Sequence, residues 1–254
     1  MSFEIANERP RGRLRPFTAM GRMRRLIADK EDTEQVFHII EALGGKALER
    51  DLARFAASAH APHMLRTKPS LPALLDDHAN LRRLPIGSVG QAYVDFMERE
   101  GLTAAGLVDE SEKFKQGKRR FDDDLEWYAD RLRDTHDLFH VLTGYGRDPL
   151  GEACLLAFSY SQSGGPGLMF IAYLGAREIR RTSPRGMRIM DGVWEGKRHG
   201  KTAEKIVDQD IEALLSENLE AARKRLLIQK PVRYRALRSA LAEVWDDYGA
   251  PPAA

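Results

Sequence analysis

The sequence predicts an all-α protein built as a single helical domain. Three observations predict it. Apolar residues recur at intervals of three and four along most of the chain, strand-like alternation is scarce, and the periodic runs stop at glycine or proline. The 254 residues, 43% of them hydrophobic and 31% charged, suffice for one large core, and no internal repeat divides them. The expected organisation is a basic arm over 1–14, a helical domain over 15–248 and a loose tail over 249–254.

Residues 9–25 hold seven arginines and no acid, with Leu14, Phe17, Met20 and Met23 interleaved. Such a run suits a peripheral anchor on anionic lipid headgroups and equally a solvated basic arm. Residues 33–43 place Val36, Phe37, Ile40 and Leu43 on one helical face before Gly44 and Gly45. Over 60–87, proline, histidine and charge cluster without a period, which predicts loops. The glycines at 87 and 90 lack the lysine and the preceding strand of a phosphate-cradling loop, so they read as a turn opening a helix.

The stretch 122–143 carries one inward stripe, Leu125, Tyr128, Ala129, Leu132, Phe139 and Thr143, which His136 and His140 continue. Between Glu152 and Arg177 lie 24 residues without a formal charge, long enough to span a bilayer. Gly164, Gly165 and Pro166, and the polar run before them, point instead to two apolar helical halves joined by a turn. These halves are expected either in the core or as walls of a groove that starts at Glu152. Residues 203–228 read as one amphipathic helix through Val207, Ile211, Leu214, Leu215, Leu219, Ala222 and Leu226. Residues 234–248 read as another, through Tyr234, Leu237, Leu241, Val244, Trp245 and Tyr248, ahead of the tail from Pro251 to Ala254.

The segment HDLFHVLTGYGRDPLGE, residues 136–152, carries the chemistry. Positions four apart on a helix sit one above the other, so His136 and His140 can reach one ion from the same face, and Asp137 borders that face. Glu152 would lie roughly 18 Å along a continuous helix from His140 and about 120° around it, out of reach. The sequence supplies a break: Gly144 and Gly146 stop the first helix, Asp148 can cap a second, and Pro149 suits its first position. A helix hairpin then returns Glu152 to the histidines. An isolated HDxxH is more often a satisfied core pair than a site; the returning carboxylate turns the reading toward a divalent metal.

Other classes are set aside on composition and spacing. A formal net charge of +2 gives no electrostatic reason for nucleic-acid binding. The single cysteine, Cys154, excludes an internal disulfide, fits a reducing compartment, and points away from Glu152 as a packing residue. Zinc proteases place glutamate, not aspartate, beside the first histidine. A His-Asp phosphohydrolase would need an upstream histidine and a downstream aspartate that are not found. His60 and His63 make a weak secondary metal pair. Glu4 and Glu8 leave little room for a mitochondrial presequence, so the expected location is bacterial, cytoplasmic and peripheral on the inner membrane.

His136, Asp137, His140 and Glu152 match position for position the HDxxH, eleven residues, Glu signature of the coenzyme Q (ubiquinone) biosynthesis protein 4 family, and the chain resembles that family. RRLIADKEDTEQVFHIIEALGG (24–45), LPIGSVGQAYVDFM (84–97), RDTHD (133–137) and RKRLLI (223–228) are similar to its pattern, over roughly residues 15–230. The resemblance implies a largely helical protein holding a divalent metal, zinc in the family, beside a groove for a polyisoprenoid chain. It implies a lyase removing the C1 carboxyl of a polyprenylated 4-hydroxybenzoate, in some accounts with C1 hydroxylation. The oxidative form would require Fe(II) or another redox metal, because zinc cannot change oxidation state. Expected partners are the polyprenylated aromatic lipid, other ubiquinone biosynthesis enzymes, a membrane surface and further copies of the chain. The alternative is a non-catalytic scaffold that binds a prenyl lipid, with metal as a structural staple. Beyond the four ligands, expected substrate contacts are Arg133, Tyr145, Leu155, Phe158, Met169 and Phe170.

Overall fold

Sixteen α-helices and one 3-10 turn build the described part of the chain, and no strand occurs among the described residues. The structure is a computed structural model, and it describes residues 3–10, 12–29 and 32–243. The first half runs α1 (Pro16–Ala28), α2 (Glu34–Gly44), α3 (Ala47–Ala56), α4 (Ala61–Thr67), α5 (Leu71–Leu75), α6 (His78–Leu81), α7 (Val89–Glu100) and α8 (Ala104–Lys115). The second runs α9 (Asp124–Asp134), α10 (His136–Thr143), α11 (Pro149–Ser163), α12 (Pro166–Thr182) and α13 (Met190–Thr202), then the 3-10 turn Ile206–Asp208, α14 (Ile211–Ser216), α15 (Leu219–Arg225) and α16 (Val232–Ala242).

Several expectations need correction. The segment 60–87 is not loop but three short helices, because Pro62 and Pro72 stand in first turns, where their missing N–H is no loss, and Asp77 caps α6 through the Asn80 amide. The helix expected over 203–228 is broken twice, since Asp210 caps α14 at the Ala213 amide and Asn218 caps α15 at the amides of Glu220 and Ala221. The stretch 122–143 is interrupted at Thr135, whose hydroxyl donates to the carbonyls of Arg131 and Leu132, a back-bond that disturbs helices. The last helix begins at Val232; Val244, Trp245, Tyr248 and the tail lie outside the described residues. At residue 88 the expected turn does open a helix, with the Ser88 side chain accepting from the Gln91 amide.

The centre of the fold is α11, packed between α12 and α13. Its contact with α13 is backbone against backbone. A Cβ on Gly196 would lie 2.2 Å from the Cys154 carbonyl oxygen, and one on Gly200 would lie 2.3 Å from that of Phe158. Cys154 and Phe158 are therefore fully buried on the side of α11 turned toward α13, within the main core. That leaves the opposite side, with Leu156 and Ser159, free to line a cavity.

The N-terminal segment is docked before α1 begins. The Ala6 amide and the Arg9 guanidinium donate to Asp123, and Arg9 lies 4.4 Å over the Phe121 ring. Asp123 also caps α9 by accepting from the Glu126 amide. Burial alone would raise the Asp123 carboxyl; the hydrogen bonds from Arg9, Ala6 and Glu126 outweigh it and hold it at about 2. Because the folded value is the lower one, the stabilisation, about 2 kcal/mol, is complete above about pH 4 and lost as pH falls through about 2. Protection of the Ala6 amide, relative to its intrinsic exchange rate, is expected to fall over that window in the wild type, and Asp123→Asn, which keeps the oxygen that caps Glu126 but loses the acceptor for Ala6, is expected to show low protection at Ala6 already at neutral pH. Unchanged exchange in the variant would refute this role for Asp123.

Candidate metal centre

The four residues singled out in the sequence come together at the hairpin of α10 and α11. Gly144 ends α10 with a left-handed φ of 75°, its amide returning to the His140 carbonyl, and Asp148 caps α11 by accepting from the Gly151 amide at 2.9 Å. The chain reverses over residues 144–148. Ligand atoms of His136, Asp137 and His140 all lie within 4.8 Å of one another. From α11 the Glu152 carboxylate reaches both rings, 3.7 Å from His136 Nε2 and 3.3 Å from His140 Nε2.

The hydrogen bonding of His140 tests whether a cation fits. Its Nδ1 lies 2.9 Å from the Tyr145 carbonyl oxygen, which can only accept, so Nδ1 carries the proton. In the neutral ring Nε2 is then a bare lone pair. That atom is completely buried, makes no hydrogen bond, and faces a carboxylate oxygen that also brings only lone pairs. A cation among Nε2, Glu152 and the neighbouring ligands would resolve the opposition, and a backbone carbonyl fixing the far nitrogen is how metal-bound histidines are commonly oriented. Burial alone would raise the Glu152 carboxyl, yet positive charge on the two imidazoles, when they are protonated, pulls it well below the usual carboxylate range. Burial would likewise lower His136, but Glu152 wins and raises it. Phe96, from α7, stacks on the His140 ring at 5.4 Å and closes that side.

The sequence pattern of the family described as Coenzyme Q (ubiquinone) biosynthesis protein Coq4 matches residues 15–232. The chain belongs to this family. Curated relatives agree: ubiquinone biosynthesis protein coq4 of Pyrenophora tritici-repentis is 29% identical over 71% of this chain and 59% of its own length. That of Sclerotinia sclerotiorum is 28% identical over 71% of this chain and 61% of its own. The chain thus spans about 60% of the length of these relatives. A crystal structure from Nostoc punctiforme, of a protein provisionally named for ubiquinone biosynthesis, shares the fold with a TM-score of 0.63 at 19% identity, over 86% of this chain and 100% of that one. The expected bacterial, inner-membrane location is corrected by the curated relatives, which are named mitochondrial and point to mitochondria instead. No helix among the described residues is long and apolar enough to cross a membrane.

In this member of the coenzyme Q biosynthesis family, His136, Asp137 and Glu152 open onto a cavity of about 2100 Å³. Its walls include Ile27 of α1, Phe37 and Ile40 of α2, Leu156 of α11 and Ile171 of α12. Arg147, exposed in the turn, enters it with its Nε 4.0 Å from Glu152. Arg133 also reaches the cavity but is held by Asp130, Asp134 and Ser111. The other expected substrate contacts lie elsewhere. Leu155 and Phe158 are fully buried in the core, and Met169 and Phe170 pack against core clusters rather than on the cavity wall. Tyr145 is buried with its hydroxyl 3.3 Å from His199, and it serves the site through its carbonyl. Phe96 and Arg147 were not anticipated. Arg147 sits inside the ligand segment, where a cation beside three acids was visible, whereas Phe96 carries no local signal. His60 and His63 gather no third ligand among the described residues.

Proposed function

We propose that this chain removes the C1 carboxyl group of a polyprenylated 4-hydroxybenzoate in ubiquinone biosynthesis, at a divalent metal held by His136, Asp137, His140 and Glu152. One observation carries the reading: the ligand cluster opens into an apolar cavity large enough for a lipid tail, so a polar aromatic head and its tail have adjoining sites. A bound divalent cation would supply Lewis-acid stabilisation of negative charge, and a redox metal would in addition serve an oxidative form with dioxygen and a reductant. Zinc fits the nitrogen and oxygen donors of the simple decarboxylation, and Fe(II) those of the oxidative form.

The chain's own residues orient the reacting group. Arg147 can pair with the substrate carboxylate beside the cluster through charge-assisted hydrogen bonds. C1, para to the ring hydroxyl, takes up a proton as electron density flows from the phenolate oxygen into the ring; the C1–carboxyl bond then breaks, carbon dioxide leaves, and the bonding pair returns through the ring to that oxygen. Arg147→Ala is expected to raise KM about 10- to 100-fold with a smaller change in kcat, the value of a charge-assisted hydrogen bond to a carboxylate. An unchanged KM would remove Arg147 from substrate recognition.

The membrane partner in this reading meets α1. Phe17 is 93% exposed and Leu14 67% exposed among the arginines, and Ile27 of the same helix lines the cavity. Other enzymes of the pathway and further copies of the chain remain partners by family membership.

The deciding experiment is mass-spectrometric detection of product from a short-chain prenylated 3-methoxy-4-hydroxybenzoate with metal-quantified protein, with and without oxygen and reductant. Product without oxygen supports simple decarboxylation, and an oxygen requirement with a C1 hydroxyl supports the oxidative form. A second reading, a lipid-binding scaffold stapled by metal, is favoured by the complete burial of His140 where α10 meets α11. It predicts that chelation lowers the melting temperature and that folded, metal-loaded protein gives no product.

A further inference from the structure

We propose that Tyr234 is a positioning residue for the metal ligands: its hydroxyl braces the turn that sets the spacing of His140 and Glu152. The inference rests on the metal-centre reading above and adds a residue beyond the matched region, which stops at 232.

The hydroxyl joins two parts of the turn. It accepts from the Gly146 amide at 2.9 Å and donates to one oxygen of Asp148, whose other oxygen caps α11 at the Gly151 amide. A single buried O–H therefore ties the middle of the turn to the start of the helix that carries Glu152. The backbone has closed around it. A Cβ on Gly146 would lie 2.6 Å from the Tyr234 oxygen, and one on Gly151 would lie 2.1 Å from the Gly146 carbonyl oxygen. The Tyr234 ring also stands edge-on to Tyr145 at 5.4 Å, and Tyr145 supplies the carbonyl that orients His140. Both ligand helices thus register against one side chain.

That side chain is anchored in turn. The first amides of a helix lack partners within it, and here Glu195 of α13 accepts from those of Arg233 at 2.8 Å and Tyr234 at 3.1 Å. Glu195 is buried, so the start of α16 is pinned to α13 rather than left to solvent. The brace runs from α13 through α16 to the turn, and it fixes the two ligand-bearing helices from outside the ligand set. Outer-shell hydrogen bonds of this kind commonly change metal affinity about 10- to 100-fold.

The test is Tyr234→Phe in the full chain, which keeps the ring packing and deletes only the hydroxyl. Zinc and cobalt(II) affinities are measured by competition with a chromogenic chelator, together with the visible spectrum of the cobalt form and a melting curve. The expected result is metal binding weakened about 10-fold or more with an altered cobalt spectrum. A tyrosine that merely packs would lower the melting temperature alone, so affinity within about threefold of wild type and an unchanged spectrum overturn the proposal. Should Tyr234→Phe not fold, Asp148→Asn keeps the oxygen that caps Gly151 while weakening the acceptor for the hydroxyl, and the same loss of affinity is expected. Wild-type protein that takes up neither metal overturns the metal-centre reading together with the brace; bound metal with unmoved affinity overturns the brace alone.

Discussion

His140→Ala is expected to weaken divalent-metal binding by more than about 100-fold, beyond the effect of losing an outer-shell partner, and to take turnover with it. Among the candidate ligands it has the one fully buried side chain, whereas those of His136 and Glu152 are about a third exposed. Its ring is fixed from three directions: Nδ1 by the Tyr145 carbonyl, one face by Phe96 at 5.4 Å, and the His136 ring edge-on at 5.0 Å. No neighbouring group can swing in to replace it, because the backbones of α10 and α11 are held by the turn between them. Removing the ring also leaves a void beside Phe96, costing about 2–3 kcal/mol of stability, so metal content must be measured on protein shown to be folded. His60→Ala, at the start of α4, is the matched control and is expected to change neither quantity. Full metal content with full turnover in His140→Ala would sink the metal-centre reading.

The hairpin was legible because its determinants are local. The i, i+4 spacing of His136 and His140, the glycine that stops α10 and the Asp148-Pro149 start of α11 act within one turn of themselves, so reading them needs no knowledge of what packs nearby. The same local rules misled where proline was taken only as a breaker, as at Pro62 and Pro72, and where capping residues hid within an amphipathic pattern, as at Asp210 and Asn218. The cavity wall was illegible for a different reason. α11 is apolar on nearly every side, so periodicity cannot say which side meets the core, and Leu155 and Phe158 looked as suitable as Leu156. That choice is made some forty residues later, by the glycines of α13 that admit the backbone of Cys154 and Phe158. Tyr145 shows the limit most sharply. It lies in the turn between the ligand helices, and the group that meets His140 there is its carbonyl, which every residue carries and no sequence can single out.

Gly196→Ala is expected to destabilise the fold by about 3 kcal/mol or more, the upper end of what overpacking costs, and to lower the melting temperature by roughly 6–12 °C. The added Cβ would stand 2.2 Å from the Cys154 carbonyl oxygen and 3.0 Å from its carbonyl carbon. Both are helix backbone, so no rotamer change relieves the clash and α11 must move away from α13. Gly200, one turn on, meets the Phe158 backbone in the same way and blocks a compensating slide along the axis. A loss of 3 kcal/mol is a large share of the 5–15 kcal/mol that typically separates folded from unfolded protein. Gly175→Ala provides the contrast. It lies within α12 with nothing within 4 Å of its would-be Cβ, so alanine there is expected to raise stability by about 0.5–1 kcal/mol. A melting temperature for Gly196→Ala within a degree or so of wild type would mean that α11 is not seated on the α13 glycines. The core side of α11 would then have to be reassigned, and with it the cavity wall that begins at Glu152.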